Sequence, residues 1–323
     1  MTLTKHLSVR AQRNWIALAV LWAGILSAQN VPTFRTGVFL VHVDAEVLEQ
    51  NNSPLTGLRK EDFRILDGGQ EQTIVSFSEG EQPLDVILLF DISSSMRRQV
   101  KHVANVAHQG LHELRPGDCV SVMVFNTEAW TVAPFSTDPG QVEEAIHRVL
   151  RLDFRGGTRI QDAVYDAARV LIAAGNPYRR RRAVLVITDN LGIPHRKSSA
   201  IESLWEADAL LAGLVVPNRT AIKGLLAPLG ATRPGGIEDL VAATGGDMIR
   251  SQALETDFPD MMHRIRSRYT LYYRLPEGDV GSLRTIDVQL SARGRERVPG
   301  AHILARRGYR LQERDHYGFA TRQ

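Results

Sequence analysis

The sequence predicts an α/β protein in which a doubly wound, mostly parallel sheet is inserted in a small β domain built from the two flanks of the chain. Two continuous apolar runs, Val86 to Phe90 and Ala183 to Ile187, have the composition of strands buried on both faces, and each is closely followed by an aspartate, Asp91 and Asp189. Around these runs apolar residues recur at helical spacing, so strand and helix alternate, as in parallel sheets. Before and after this region, short apolar runs alternate with polar residues in the manner of antiparallel strands.

At the start, Lys5, Arg10 and Arg13 precede an uncharged run from Trp15 to Ala28 that closes on small residues, Ser27 and Ala28. Residues 1–28 thus read as an export signal, which places the protein outside the cytoplasm, secreted or in the periplasm or cell envelope. The alternative is an uncleaved anchor, for which the run falls short of the ~20 residues that span a bilayer. Residues 1–28 hold three basic residues and no acidic ones, so without them the formal charge of +3 falls to about zero. The high pI is then no argument for nucleic acid, although thirteen arginines face six acids from Arg264 onward. A single cysteine, Cys119, excludes an internal disulfide framework, and its strand-like surroundings make it a small apolar residue.

Residues 36–80 form the first β segment. Phe39, Val41, Val43, Ala45 and Val47 alternate with His42, Asp44 and Glu46. Strands around Phe63 to Ile65 and Thr73 to Phe77 are expected to pair across Asp67-Gly68-Gly69, a hairpin signal. Residues 269–312 carry three further strand patterns, Tyr269 to Leu275, Leu283 to Leu290 and His302 to Arg310. Neither flank closes a core alone, so the two are expected to pack together, with residues 84–268 as the inserted domain.

Within that domain a helix carries Val100, Val103, Ala107, Leu111 and Leu114 before a strand through Phe125. Asp138-Pro139-Gly140 starts a second helix. A third carries Ala163, Ala167, Val170 and Leu171. Then come strand 183–188, a helix near Ile201 to Ala209, a strand near Leu210 to Val216, a helix from Ile237 to Ala243 closed by Gly245-Gly246, and a helix from Phe258 to Arg268.

Asp91, Ser93 and Ser95 offer one carboxylate and two hydroxyls at alternate positions after a buried strand, at the sheet edge where open α/β folds bind ligands. Such hard oxygens suit Mg²⁺, Mn²⁺ or Ca²⁺ better than zinc. Three donors leave a divalent ion short of ligands; Thr158, after Arg155-Gly156-Gly157, and Asp189 stand at matching positions to supply more. The competing reading is that Asp91 and Ser95 cap the next helix. It leaves Thr158 and Asp189 unexplained.

These residues carry a resemblance. Asp91-Ile-Ser93-Ser-Ser95, Gly156-Gly157-Thr158 with Asp162-Ala163, and Ile187-Thr188-Asp189 resemble, in order, the three loops of the metal-ion-dependent adhesion site of von Willebrand factor type A domains. The likeness spans roughly Leu84 to Arg268. Pro54 to Phe63, Arg268 to Tyr273 and Ala305 to Tyr309 are similar to the flanks of a group of secreted bacterial proteins that carry such a domain. The resemblance implies a non-enzymatic protein-binding module. In it Ser93 and Ser95 coordinate Mg²⁺ through their hydroxyls, Asp91 and Asp189 act directly or through water, Thr158 joins in some states, and an acidic side chain from a partner protein completes the ion. Ser94 and Asn190 stand where that pattern often has glycine, which bears on turn geometry and affinity. Asp162 is expected on the helix surface or behind the ligands.

Two other functions share parts of this pattern. Haloacid-dehalogenase-like phosphatases keep a nucleophilic aspartate at the same strand end, but need a second aspartate two residues on, where this chain has Ser93. A scaffold with an unused site is the other. No phosphate-binding glycine loop follows a strand. His108 and His112, four apart, lack a third zinc ligand and read as solvated. Arg179 to Arg182 reads as a solvated loop at the opposite sheet edge. The segment from Pro217 to Gly236 leaves a strand on the Asp91 side and is expected to shape binding or to be a disordered insertion; Asn218-Arg219-Thr220 in it fits a glycosylation acceptor.

Overall fold

A computed structural model of the chain describes residues 39–80, 82–176, 180–192, 196–216 and 236–311. The export-signal segment, Arg179, the side chain of His108 and nearly all of the 217–236 segment lie outside the described residues.

Two bodies of secondary structure share the described chain. The first is a six-stranded sheet made by β5 (Leu84–Asp91), β6 (Cys119–Phe125), β7 (Ala129–Ser136), β8 (Arg181–Thr188), β9 (Ala209–Val215) and β10 (Met248–Arg250), in the order β10-β9-β8-β5-β6-β7. All neighbours are parallel except β7, which pairs antiparallel to β6 at the edge. β5 and β8 lie at the centre and are apolar because both faces are covered. Val86, Leu88 and Phe90 point into a core with Val100 and Val103 of α1 (Arg97–Leu111), Val142 and Ile146 of α2 (Pro139–Val149), and Phe258 and Ile265 of α6 (Leu254–Arg266). Ile87 and Leu89 point to the other face, against α3 (Ile160–Ala174), α4 (Lys197–Ala207) and α5 (Ile237–Thr244). At the α1–α6 crossing, Gly110 has no room for a Cβ, which would stand 2.2 Å from the Phe258 ring.

The second body is a β sandwich of two four-stranded sheets. One sheet has the order β13-β1-β11-β4, from β1 (Leu40–Leu48), β4 (Ile74–Glu79), β11 (Tyr269–Arg274) and β13 (His302–Ala305). The other has the order β14-β12-β2-β3, from β2 (Phe63–Asp67), β3 (Gln70–Gln72), β12 (Leu283–Leu290) and β14 (Gly308–Arg310). Both sheets mix strands from the two ends of the described chain. They share one core that includes Val41, Val43, Ile65, Tyr269, Leu271, Val288 and Tyr309. A short helix, α7 (Ala292–Arg297), follows β12.

Three sequence expectations are corrected here. The turn at Gly68 and Gly69, both at positive φ, joins β2 to β3, and the expected second arm, β4, crosses to the other sheet to pair with β11. The closing helix runs from Leu254 to Arg266, starting earlier and ending sooner than its apolar pattern suggested. The arginine run is not a solvated loop: Arg181 and Arg182 are 1% and 5% exposed. Arg181 hydrogen-bonds Asp44 of β1 and the carbonyls of Ile265 and Arg266 at the end of α6, which pins sheet, helix and sandwich at one point. Arg268, buried with Glu46 and bonded to the Gly245 carbonyl, makes a second such tie. Among the described residues, no helix is long and apolar enough to cross a membrane.

Candidate metal centre

The chain leaves β5 toward β6 on one side and β8 toward β9 on the other, so the strand order reverses between β5 and β8. The carboxyl ends of these two strands therefore flank a crevice, the usual ligand position in open α/β sheets. Asp91 ends β5 and Asp189 directly follows β8.

Asp91 is fully buried. Its Oδ1 accepts from the Ser93 backbone N–H at 2.8 Å, an Asx turn that folds the serine loop back on the strand. Its Oδ2 accepts from the Thr188 hydroxyl at 2.7 Å, and Thr188 Oγ1 in turn accepts from Asn190 N–H at 3.1 Å. One carboxylate thus ties the loop after β5 to the loop after β8. The sequence pattern includes Thr188 in the third loop motif but assigns it no role at the site. Its role depends on a neighbour 97 positions away, and the one local signal was a hydroxyl at the polar end of an apolar run.

Ser93 Oγ and Ser95 Oγ lie 3.1 Å apart. Ser94 to Met96 form a 3-10 turn, and neither this turn nor α1 has a side-chain hydrogen bond at its N-cap. Capping therefore does not account for the two hydroxyls. Asp189 is 7% exposed and its Oδ1 accepts from Leu191 N–H at 3.2 Å. Asn190 adopts the left-handed conformation (φ 55°), which asparagine tolerates better than most residues, so this turn does without glycine. Its side chain reaches Glu238 at 2.8 Å. Ser94 is not among the positive-φ residues and needs no glycine either.

Thr158, 9% exposed, sits before α3 on a loop fastened to the end of β6 by Arg159 N–H to Asn126 O (2.9 Å) and Asn126 Nδ2 to Arg155 O (3.2 Å). This loop touches the one after β8: a Cβ on Gly192 would stand 2.7 Å from the Thr158 carbonyl oxygen. The five residues expected from sequence therefore occupy three loops at one end of the sheet. Asp91, Ser93 and Ser95 are joined by direct bonds or adjacency, and Thr158 and Asp189 lie on loops in contact. Asp162 stands aside on α3, 3.9 Å from Arg159 and 3.7 Å from Arg196. His112 is exposed at the end of α1. Cys119 is half-buried, and burial pushes its thiol up, away from thiolate chemistry.

Burial pushes the Asp91 carboxyl up to about 7; the bonds from Thr188 and Ser93 oppose this, and the nearby Asp189 charge adds to it. That coupling places the two carboxylates within electrostatic reach of each other. Two buried acids that feel each other's charge, on loops that also carry hydroxyls, favour a cation. The donors also fit one in kind. Two oxygens 3.1 Å apart match adjacent corners of an octahedron whose oxygens lie about 2.0–2.1 Å from Mg²⁺. Among the described residues, no cluster of three or more His, Cys, Asp or Glu side chains could hold a metal, so any ion here depends on serine and threonine hydroxyls.

A parallel sheet wrapped by helices, with a carboxylate-and-hydroxyl crevice at its carboxyl edge, defines an α/β protein of the von Willebrand factor A-like fold. Residues 86–192 match the family model of the von Willebrand factor type A domain. No curated protein matches the chain. Among solved structures, the chain is similar to an aerotolerance-related membrane protein from Bacteroides fragilis (TM-score 0.46, 18% identity, covering 56% of this chain and 98% of that one). BatB, a conserved hypothetical protein from Bacteroides thetaiotaomicron, scores 0.46 at 21% identity, over 56% of this chain and 97% of its own. A von Willebrand factor type A protein from Catenulispora acidiphila scores 0.44 at 13% identity, over 86% and 75%.

Proposed function

We propose that the chain is an exported, non-enzymatic protein-binding module. Asp91, Ser93, Ser95, Thr158 and Asp189 would hold Mg²⁺, or Mn²⁺ or Ca²⁺ in its place, and an acidic side chain of a partner protein would complete the coordination. The observation that carries the reading is the pair of serine hydroxyls 3.1 Å apart, not engaged in capping, beside two neighbouring carboxylates. When bound, the ion supplies a positive, oxygen-seeking centre. The chain's own residues then have defined tasks: Thr188 and the Ser93 N–H fix Asp91, and Asn190 and Leu191 N–H shape the loop that presents Asp189. Both Asp91 oxygens already accept bonds within the protein, which favours an anchoring carboxylate over an attacking one. The basic, then apolar start of the sequence supports export.

Calorimetric titration with Mg²⁺ tests this. The full chain is expected to bind one ion, and the Ser93→Ala, Ser95→Ala double variant at least about tenfold more weakly, since two of the proposed donors are lost. Unchanged affinity in that variant would remove the site. A second expectation concerns Gly192. In the Gly192→Ala protein the new methyl meets the Thr158 backbone, a clash of the kind that costs about 1–3 kcal/mol. Because it separates the second and third loops, Mg²⁺ affinity should fall about threefold to tenfold, while urea denaturation in chelator shows a folded protein with an unchanged m-value. Wild-type Mg²⁺ affinity in this variant would mean that Thr158 takes no part.

A further inference from the structure

The loops that converge on Asp91 also carry arginines. Arg97 and Arg98 follow the serine turn, Arg155 and Arg159 flank Thr158, and Arg196 precedes α4 on the far side of the Asp189 loop. All five are exposed, with Arg155 79% exposed at its side chain. The acids near them are shared between arginines. Asp153 lies 3.7 Å from Arg97 and 3.6 Å from Arg155, and Asp162 lies 3.9 Å from Arg159 and 3.7 Å from Arg196. The Asp153 pairs are exposed and long, hence weak, so an incoming carboxylate can displace them at little cost, whereas Asp162, with a side chain 19% exposed, is held more firmly. Glu128 and Asp166 are further acids on this side, Asp166 within electrostatic reach of Asp162 and Arg196. Around α5 the charges balance instead: Glu238 pairs with Arg250 at 3.0 Å and Asp239 with Lys197 at 2.6 Å. Among the described residues, the five arginines of this flank outnumber its four acids, Glu128, Asp153, Asp162 and Asp166.

We infer that the partner presents an acidic peptide segment, a run of Asp or Glu residues of which one carboxylate completes the ion and its neighbours lie in the arginine fringe. The inference rests on the metal reading above and adds the partner's chemistry to it. Guanidinium groups suit this task because their planar fork takes a carboxylate through two parallel hydrogen bonds. A nucleic acid fits less well. Arg196 already lies over the Tyr165 ring, 5.8 Å from its centroid, covering a face on which a base could stack.

The test uses the full chain with Mg²⁺ and two fluorescent peptides, one with six consecutive glutamates and one with a single aspartate among glycines and serines. The hexaglutamate peptide is expected to bind about tenfold tighter or more at 50 mM NaCl, and the gap should narrow at 500 mM NaCl, where exposed charges are screened. In the Arg155→Gln, Arg196→Gln variant the advantage should fall about threefold to tenfold. Calorimetric Mg²⁺ affinity and binding of the single-aspartate peptide should stay at wild-type levels. Equal affinity for the two peptides with Mg²⁺ bound, an unchanged advantage in the variant, or tighter binding of a single-stranded oligonucleotide would each overturn the inference. Should Mg²⁺ not bind while the hexaglutamate peptide still depends on Arg155 and Arg196, the metal reading fails and the acidic partner stands.

Discussion

Asp91→Asn is expected to make the metal-free protein more stable at pH 8 and to abolish its stabilisation by Mg²⁺. Burial raises the folded-state pKa of Asp91 to about 7, with the Asp189 charge adding to the rise, whereas the unfolded chain titrates near the ordinary carboxylate value of about 4. The folded state therefore holds a proton that the unfolded state releases between about pH 4 and 7. The contribution of this group is fully favourable below that window, declines through it and stays unfavourable above it. A shift of about three units corresponds to about 4 kcal/mol at the upper end, and coupling between the two acids lowers that to about 2–4 kcal/mol. Asparagine keeps the shape. Its oxygen can still accept from Ser93 N–H and its amide can donate to Thr188 Oγ1, so the charge is removed with little loss of bonding. Urea denaturation in chelator at pH 5 and pH 8 should show the variant ahead at pH 8 by about 2 kcal/mol or more, and by roughly a third of that lead at pH 5, one unit into the window. Adding Mg²⁺ should stabilise only the wild type, by mass action on the folded state. A variant less stable than wild type at pH 8 in chelator would show that Asp91 is held for structure and not for a cation.

The central strands were readable because their requirement is local. A strand covered on both faces must be apolar throughout, and a polar group at its end then marks the sheet edge, as Asp91 and Asp189 do. The sandwich strands were readable by alternation for the same reason. β7 was not: it lies at the sheet edge, includes Pro134 and has an irregular register with β6, so neither alternation nor a continuous run survives. The first turn of α6 was hidden by Pro259 inside the helix, which reads as a boundary. At the site, residue types and spacing pointed to the five residues that stand on neighbouring loops, but the bonds that shape those loops were not local. Thr188 serves Asp91, and Gly192 matters because Thr158 lies against it. The arginine run misled for a related reason. Four consecutive cations suggest solvent, and only the fold brings Asp44 and the end of α6 to Arg181.

That buried arginine carries the second large effect. Arg181→Ala should cost about 3–5 kcal/mol at pH 7.5, the range for removing one partner of a buried charge pair. Three acceptors lose their donor at once: Asp44 Oδ2 (3.0 Å), the Arg266 carbonyl (3.0 Å) and the Ile265 carbonyl (2.8 Å). Burial alone would push Asp44 up, but the Arg181 guanidinium, with His42 and the Thr270 hydroxyl, more than offsets it and holds the carboxyl below its ordinary value. In the wild type this contribution is present above the ordinary carboxylate range and lost only as pH falls through the lowered value. Without Arg181, burial dominates and the Asp44 carboxylate becomes unfavourable at neutral pH. The deficit should therefore be larger at pH 7.5 than at pH 4.5, a dependence that loss of packing alone would not produce. Arg181→Met, which keeps much of the apolar stem, should show the same pH dependence, and Arg181→Lys, which keeps the charge but not the fork, a smaller loss. Urea denaturation at the two pH values measures all three. A deficit under about 1 kcal/mol for Arg181→Ala at pH 7.5 would mean that the tie between sheet, helix and sandwich is made elsewhere, with the Arg268 and Glu46 pair the next to remove.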